Sequence, residues 1–233
     1  MAATTTVLNP IRSQFRDAAR IQEAITAPLE RKTLLWLAER TPASVSPDHL
    51  TILGFGAQIL ASVSYALSRW NKYFLLLAAF FIAMNWLGDS LDGTLARVRN
   101  RLRPRYGFYV DHMADTFGSV LLMSGLALTS FVHWQIAIGM LVAFLVLSIE
   151  SYLTTYTIGK FHMSHALFGP TEIRILLMIG NLTLLFWPRA LLLGHMFLIF
   201  DVGGAIAIVG MLSMAIVATA KHTVRLYQEE RLP

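Results

Sequence analysis

Four aspartates lie among long apolar runs in the middle of the chain, and their type and spacing favour metal chemistry. Asp89 and Asp92 are three residues apart, and Asp111 and Asp115 are four residues apart. On a helix, either spacing places both carboxylates on one face, so two facing helices would bring four carboxylates to one point. Unpaired carboxylates repel each other and are costly to remove from water, which predicts divalent cations between them. All-oxygen ligands favour Mg²⁺ or Mn²⁺, and the chain contains no Cys.

The residues that follow the first pair predict a phosphate-bearing ligand. Gly93 comes directly after Asp92 inside an expected helix, where glycine costs about 1 kcal/mol relative to alanine. A ligand lying against the backbone would explain the absent side chain, and Ala96 keeps the next turn of that face small. Arg97 adds a planar cation that suits phosphate. Together these residues indicate a substrate that contains a pyrophosphate.

The same residues form a pattern that resembles the signature of the CDP-alcohol phosphatidyltransferases, D-x2-D-G-x2-A-R followed after a spacer by G-x3-D-x3-D. All the fixed positions are present: Asp89, Asp92, Gly93, Ala96, Arg97, Gly107, Asp111 and Asp115. The spacer, residues 98–106, is one residue longer than the family pattern. The extra residue is expected to bulge in a loop, because loop insertions cost little free energy.

The resemblance implies a membrane-embedded CDP-alcohol phosphotransferase that acts as a homodimer. In this family an acceptor hydroxyl attacks the β-phosphorus of a CDP-linked donor, and CMP leaves. The resemblance assigns two Mg²⁺ or Mn²⁺ ions to Asp89, Asp92, Asp111 and Asp115, with Asp115 also the general base toward the acceptor hydroxyl. It assigns contact with the nucleotide, or the shape of its cleft, to Gly93, Ala96, Arg97 and Gly107.

The elements that must position these residues are predicted to be transmembrane helices. The chain has 233 residues, of which 55% are hydrophobic and 14% charged, whereas soluble domains carry about 25% charged residues. We therefore predict an all-α membrane protein with six spans, each near the ~20 residues that a bilayer needs. The expected spans are residues 47–68, 73 through the first half of the motif, 107–131, 134–156, 171–187 and 196–219. Their up-and-down order brings both aspartate pairs to the same end of the bundle.

Three regions are predicted along the chain. Residues 1–45 are expected to form a tail and an amphipathic helix, residues 46–220 the six-helix catalytic domain, and residues 221–233 a polar cytoplasmic tail. The amphipathic helix is expected over residues 11–40 with an interruption or kink at Pro28. It is predicted to lie on the inner membrane surface or, as the alternative, to pack against the bundle.

The distribution of the basic residues predicts the orientation of the protein. With the N-terminus inside, every Lys and Arg except Arg69, Lys72 and Arg189 falls on the inner side. By the positive-inside rule, this places both termini and the aspartates on the cytoplasmic side of a plasma or inner membrane. The net charge of +5 is expected to meet anionic lipid head groups. Nucleic acid is not an expected partner, because no soluble domain would present a groove.

Two further regions carry sequence signals: the loop that separates the two aspartate pairs, and the start of the first span. Arginines alternate through residues 97–105, but only Arg97 has the motif register, and Pro104 is expected to end helical structure. The string that runs from Ser46 to Thr51 resembles the family's P-N-x-L-T sequence, with Asp48 in place of the Asn. Ordinary helix capping by Ser46 is the alternative interpretation of that string.

A second polar group, near the inner ends of spans four and five, suggests an acceptor site. Its members are Glu150, Lys160, His162, His165, Glu172 and Arg174. Lys160 or Arg174 would be the cation for a phosphate-bearing acceptor; the alternative is structural ion pairing such as Glu172–Arg174 or Glu150–Lys160. Inositol phosphate, glycerol phosphate and serine remain open as acceptors, as does diacylglycerol with CDP-ethanolamine or CDP-choline as the donor. Outside the family, the rival hypotheses are a cation transporter with intramembrane carboxylates and a membrane scaffold.

Overall fold

The computed structural model describes residues 19–21, 26–162, 170–192 and 194–230, and this part of the chain is mostly helical. Its seven helices are α1 (Ala27–Arg40), α2 (Pro47–Leu67), α3 (Phe74–Val98), α4 (Pro104–Ala127), α5 (Trp134–Ile158), α6 (Pro170–Phe186) and α7 (Ile199–Glu229). Its four short strands are β1 (Ala19–Ile21), β2 (Lys160–His162), β3 (Arg189–Leu192) and β4 (His195–Leu198). β1 pairs with β2 in parallel and β3 pairs with β4 antiparallel. The prediction of an all-α protein therefore holds for the bundle but missed these two strand pairs.

Four of the described helices, α2, α3, α5 and α7, are long and apolar enough to cross a membrane. The other two expected spans correspond to α4 and α6. α4 has 24 residues but carries Asp111 and Asp115 in its first half, and α6 has only 17 residues. The membrane character of the chain is thus supported, and the number of six spans stays a prediction.

The predicted boundaries of the spans agree with several observed helices and fail at two places. α2 begins at Pro47 with Ser46 as its N-cap, since the Ser46 hydroxyl accepts a 3.2 Å hydrogen bond from the backbone N–H of His49. Pro104 was expected to end helical structure, and this is wrong, because Pro104 lies in the first turn of α4. Proline suits that position because its missing N–H would have no partner there. Residues 221–229, expected in a polar tail, continue helix α7.

The N-terminal helix is shorter than predicted. α1 begins at Ala27 with Pro28 in its first turn, so the proline starts the helix and does not kink it. Residues 19–21, which the prediction placed in this helix, form strand β1, and most of the remaining residues before Ala27 lie outside the described part. A proline ring clashes with a preceding helical turn, which explains why the helix starts there.

α1 packs against the bundle. Leu34 and Ala38 are buried in a cluster with Leu91 and Leu95 of α3, which supports the packed alternative. Trp36, on another face, is 53% exposed. Its contact with the membrane surface therefore stays a prediction.

Small residues let α2 lie directly against the two helices that carry the aspartates. A Cβ atom built on Gly88 of α3 would lie 2.6 Å from the backbone nitrogen of Gly54, so these two backbones touch. About two turns further along α2, a Cβ on Gly125 of α4 would overlap the backbone of Ser62. Close backbone approach through small residues is a common way to pack helices in membranes. α2 thereby holds α3 and α4 in place relative to each other.

Candidate active site

Three of the four motif aspartates meet in the space between α3 and α4, which both pack against α2. One carboxylate oxygen from each of Asp89, Asp111 and Asp115 lies within 4.8 Å of the other two. Mg²⁺ binds carboxylate oxygens at about 2.0–2.1 Å, so a small rotation of these side chains would place all three on one ion. The spacing argument predicted that four carboxylates converge; the structure brings these three together, and this donor set fits a hard divalent cation.

The fourth aspartate, Asp92, is turned toward α2. Its Oδ2 atom accepts a 2.5 Å hydrogen bond from the hydroxyl of Thr51, and its Oδ1 accepts one from the backbone N–H of Gly93. Asp92 is thus not among the three aspartates that lie together, and its assignment as a metal ligand stays a prediction. Thr51 belongs to the string at the start of the first span, but the sequence did not indicate its partner.

Arg174 of α6 provides the positive charge beside the three aspartates. Its Nη2 atom donates to Oδ2 of Asp89 at 2.7 Å and lies 4.0 Å from Oδ1 of Asp115. Its Nε atom donates to Oδ1 of Asn85 at 2.9 Å, and only 13% of the Arg174 side chain is exposed. The alternative that Arg174 serves a structural ion pair with Glu172 receives no support from these contacts, since its partners are on α3 and α4.

Asn85 is a residue of the site that the sequence analysis did not identify. It lies one helical turn before Asp89, and its amide nitrogen donates to the backbone oxygen of Gly54 at 3.1 Å. Its amide oxygen accepts from Arg174, so Asn85 connects α2, α3 and α6. A single Asn within an apolar run was a detectable signal for such a role, because a polar group buried in a membrane bundle needs partners.

A small cleft opens between α2, α3 and α4 at the aspartates. It is lined by Thr51, Gly54, Phe55, Gln58, Asn85, Asp89, Asp111, Ala114 and Asp115. The lining side chains are mostly polar, while Phe55 and Ala114 supply apolar surface. Asp115 lines this cleft, and its side chain is 37% exposed.

The residues assigned to the nucleotide differ in how accessible they are. Among the described atoms, a Cβ on Gly93 would approach only the Nη2 atom of Arg97, at 3.6 Å, and a Cβ on Gly107 would meet nothing within 4 Å. Both backbone positions thus leave room for a ligand. Arg97 donates through Nε to the backbone oxygen of Gly93 at 3.0 Å. Ala96 is only 9% exposed, so its side chain offers little surface to a nucleotide.

The N-terminal helix α1 is tied to α3 and α6 beside the aspartates. Oε1 of Glu30 accepts hydrogen bonds from Trp86 Nε1 and Ser90 Oγ of α3, both at 3.1 Å. The same oxygen accepts from the hydroxyl of Thr171 of α6 at 2.8 Å. Four residues before Glu30, Thr26 donates from its hydroxyl to Glu172 Oε1 at 2.7 Å. These bonds fix α6, and therefore the backbone of Arg174, relative to α3.

Two arginines of the loop between the aspartate pairs have structural partners. Arg99 donates to the backbone oxygens of Thr41 and Pro42 at 2.8 and 2.9 Å, which attaches the α1–α2 linker to the end of α3. Arg103 forms an ion pair with Asp48 and lies over the Tyr106 ring. Asp48, the residue that departs from the family's Asn, is thus engaged by an arginine of the long spacer.

The other residue assigned to the acceptor, Lys160, begins strand β2 just after the left-handed Gly159 that caps α5. The structure describes its backbone, and its contact with an acceptor stays a prediction. Glu150, which the sequence analysis considered as its ion partner, accepts hydrogen bonds from Thr154 at 2.8 Å and lies 2.6 Å from Nδ1 of His222 on α7.

Comparison with known proteins agrees with the motif. The model of the CDP-alcohol phosphatidyltransferase family matches residues 44–220. Archaetidylinositol phosphate synthase of Pyrococcus horikoshii is 33% identical over 141 residues, which cover 60% of this chain and 65% of that protein. An uncharacterized protein of Aquifex aeolicus is 32% identical over 114 residues, covering 49% of this chain and 54% of that protein. The aligned part of this chain thus spans less than two thirds of each curated relative.

Among solved structures, Mycobacterium tuberculosis phosphatidylinositol phosphate synthase (PgsA1) with CDP-DAG bound is 20% identical, with a TM-score of 0.49. The match covers 87% of this chain and 92% of that one. The family model extends over most of the chain and contains both aspartate pairs, all the helices from α2 to α6 and most of α7. The chain belongs to the CDP-alcohol phosphatidyltransferase family.

Proposed function

We propose that this protein is a metal-dependent membrane transferase that moves a phosphate-linked group from a CDP-linked donor to an acceptor hydroxyl and releases CMP. The observation that carries the proposal is the convergence of Asp89, Asp111 and Asp115 within 4.8 Å in a cleft of a chain of this family. The product would be a phospholipid or its precursor.

We propose that the site holds two Mg²⁺ or Mn²⁺ ions. Asp89, Asp111 and Asp115 would hold one ion, and Asp92 is proposed to complete the set for two. When bound, the ions neutralise the pyrophosphate and the charge that develops on the leaving phosphate. Carboxylate ligands and the absence of Cys from the sequence favour these hard cations.

The protein's own residues would direct the transfer. The acceptor oxygen forms a bond to the β-phosphorus while the bond from that phosphorus to the bridging oxygen breaks, and CMP leaves with the electron pair. Asp115 is proposed to take the hydroxyl proton, because its carboxylate reaches the cleft beside the aspartates that bind the donor. The open backbone at Gly93 and Gly107, with Arg97, is proposed to contact the nucleotide.

The substrate proposal comes from a relative and from Arg174. The Pyrococcus horikoshii relative is named an archaetidylinositol phosphate synthase, and that name describes a lipid product with a phosphorylated inositol. Arg174, next to Asp89 and Asp115, would provide a cation for such a phosphate-bearing acceptor, with Lys160 as the second candidate. We therefore favour a CDP-lipid donor and a polyol phosphate. CDP-ethanolamine or CDP-choline with diacylglycerol is the alternative within the family.

We further propose that α4 and α6 complete six spans and that both termini and the site face the cytoplasm, across a plasma or inner membrane. The support is the concentration of Lys and Arg on the side of the aspartates. The homodimer is proposed from the family alone. The transporter alternative would place carboxylates near the bilayer centre. Here Asp89 lies in the last half of α3 and Asp111 in the first half of α4, toward one end of the bundle.

The decisive experiment measures CMP release by the purified protein in lipid with Mg²⁺ or Mn²⁺. CDP-diacylglycerol is supplied with inositol phosphate, glycerol phosphate or serine, and separately CDP-ethanolamine or CDP-choline with diacylglycerol. Metal-dependent CMP from one pairing, abolished in Asp115→Asn, is the expected result. Asp201→Asn is the matched control, because Asp201 pairs with His133, which precedes α5, and not with the motif aspartates. Absence of CMP from every pairing, with metal uptake into vesicles, would favour the transporter.

A further inference from the structure

The position of Arg174 raises the question of how it and a metal ion share the same carboxylates. The guanidinium donates to Oδ2 of Asp89 and lies 4.0 Å from Oδ1 of Asp115. These are two of the three aspartates that would bind the ion. A cation held at Asp89 would also repel a divalent ion nearby, and repulsion is strong where water is largely excluded.

The protein without metal still has to neutralise its clustered carboxylates. Three acidic side chains within 4.8 Å are unfavourable unless a positive charge compensates them. Arg174 supplies that charge and is held in place by a second hydrogen bond, from Nε to Asn85. The guanidinium is therefore well placed to stabilise the site before any metal arrives.

The backbone of Arg174 is fixed, so a change of partner would involve the side chain alone. Glu30 accepts from Thr171 at 2.8 Å and Glu172 accepts from Thr26 at 2.7 Å, and both bonds hold the start of α6 against α1. Arginine has a long flexible stem that can redirect its charge without moving the helix. The alternative positions of the guanidinium are thus limited to what this stem can reach.

We propose that Arg174 is a built-in counter-ion of the carboxylate cluster, which a divalent cation displaces from Asp89. The displaced guanidinium then becomes available to an anionic group of the acceptor, so metal binding precedes and promotes acceptor binding. The proposal rests on the proposed function and deepens it, because it couples two ligands of that site. By thermodynamic linkage, each ligand must then raise the affinity for the other by the same factor.

The test measures Mn²⁺ affinity of the full chain in lipid nanodiscs by electron paramagnetic resonance of the free ion. Arg174→Gln is expected to bind Mn²⁺ at least tenfold more tightly than the wild type, because no guanidinium competes for Asp89. Arg225→Gln is the matched control, since Arg225 pairs with Glu229 on α7, and its Mn²⁺ affinity is expected to equal that of the wild type. Equal affinities in the wild type and Arg174→Gln would overturn the proposal.

A second measurement separates displacement from repulsion by a guanidinium that stays in place. Inorganic phosphate is expected to tighten Mn²⁺ binding several-fold in the wild type, and Mn²⁺ to tighten phosphate binding equally. In Arg174→Gln most of this coupling is expected to be lost. Full coupling retained in the variant would show that Arg174 is not released to an anion and would overturn the proposal.

A third arm keeps the test valid if the glutamine variant does not fold. Arg174→Lys keeps the charge but lacks the fork that binds Asp89 and Asn85 together, so it should compete less well and give an intermediate Mn²⁺ affinity. Wild-type affinity in Arg174→Lys would count against displacement. If neither wild type nor variants bind Mn²⁺, the metal dependence in the proposed function fails as well. If CMP release is metal-dependent but substitution of Arg174 does not change the Mn²⁺ affinity, the displacement proposal is contradicted and the proposed function is not.

Discussion

The hydroxyl of Thr51 on α2 donates a 2.5 Å hydrogen bond to Oδ2 of Asp92 on α3. This contact joins α2 to the aspartate that lies apart from the other three. The same carboxylate accepts from the backbone N–H of Gly93, so both of its oxygens have a donor. Asp92 is therefore oriented by α2 and by its own helix, and removal of the Thr51 hydroxyl should lower the rate of the reaction.

We predict that Thr51→Val lowers the rate of CMP release about tenfold, a barrier change of about 1.4 kcal/mol. The valine has nearly the same shape but lacks the donor, so Asp92 would lose the bond that sets its orientation. Thr51→Ser keeps the hydroxyl and is the control, with a rate expected within about twofold of the wild type. Steady-state kinetics on both variants gives the comparison. A Thr51→Val enzyme with the wild-type rate would show that this bond has no part in orienting Asp92 for the reaction.

Gly93 offers a test that separates folding from ligand binding. A Cβ at this position would approach only Arg97 Nη2 among the described atoms, at 3.6 Å, so Gly93→Ala should fold normally. In a helix interior, alanine should even stabilise the protein by about 0.5–1 kcal/mol. If the nucleotide lies against this backbone, the KM for the CDP-linked donor should rise about tenfold. Thermal unfolding and donor kinetics are measured together, and an unchanged KM would remove Gly93 from the nucleotide site.

The sequence predicted the features of this protein that depend on the spacing of residues within one segment of the chain. Apolar length located α2, α3, α5 and α7, the four described helices that could cross a membrane. The i,i+3 and i,i+4 spacings predicted a convergence of carboxylates that the structure shows for Asp89, Asp111 and Asp115. Partners across helices could not be predicted in this way, because nothing local fixes the rotation of one helix against another. Arg174 and Asp89 are 85 residues apart in the chain, and Thr51 and Asp92 are 41 apart.

The predictions that were wrong or incomplete also depended on contacts between segments that are not neighbours in the sequence, or on a residue with two possible roles. A proline can end the helix before it or begin the helix after it, and the sequence pattern alone does not tell these two roles apart at Pro104. The start of α1 was misplaced because residues 19–21 pair with residues 160–162, a contact between distant segments. The role of Asp48 depended on Arg103, which lies in the spacer whose length departs from the family pattern.

The close packing of α2 against α3 predicts a strong effect of a single methyl group. A Cβ on Gly88 would lie 2.6 Å from both the Gly54 nitrogen and the Leu50 oxygen, which are backbone atoms that cannot move aside. Overpacking of this kind costs about 1–3 kcal/mol or more. Gly88→Ala should therefore lower the unfolding temperature and, by displacing Asp89 next to it, the rate of CMP release.

Gly56 is the matched control for that substitution. It lies in α2, the helix that packs against Gly88 of α3, but among the described residues a Cβ there would meet nothing within 4 Å. Gly56→Ala should keep or slightly raise the unfolding temperature, since alanine favours a helix. Equal unfolding temperatures for Gly88→Ala and Gly56→Ala would contradict the backbone contact between α2 and α3.

Glu30 should affect the site although it lies on α1. One of its oxygens accepts hydrogen bonds from Trp86 and Ser90 of α3 and from Thr171 of α6. Ser90 is adjacent to Asp89 in the chain, and Thr171 is three residues before Arg174. Glu30→Ala leaves these three partly buried donors without that acceptor, and a donor that water does not reach costs about 1–3 kcal/mol when it is unsatisfied. Glu30→Gln keeps one acceptor oxygen and should recover much of the stability. We expect the unfolding temperature to fall in the order wild type, Glu30→Gln, Glu30→Ala, and the KM of the acceptor to rise in the same order.

The KM of the CDP-linked donor is the control for this prediction. Because α6 carries Arg174 while the donor is proposed to lie against α3, the KM of the CDP-linked donor should change less. An equal rise of both KM values would indicate a general loss of structure and would contradict a specific role of Glu30 in placing α6.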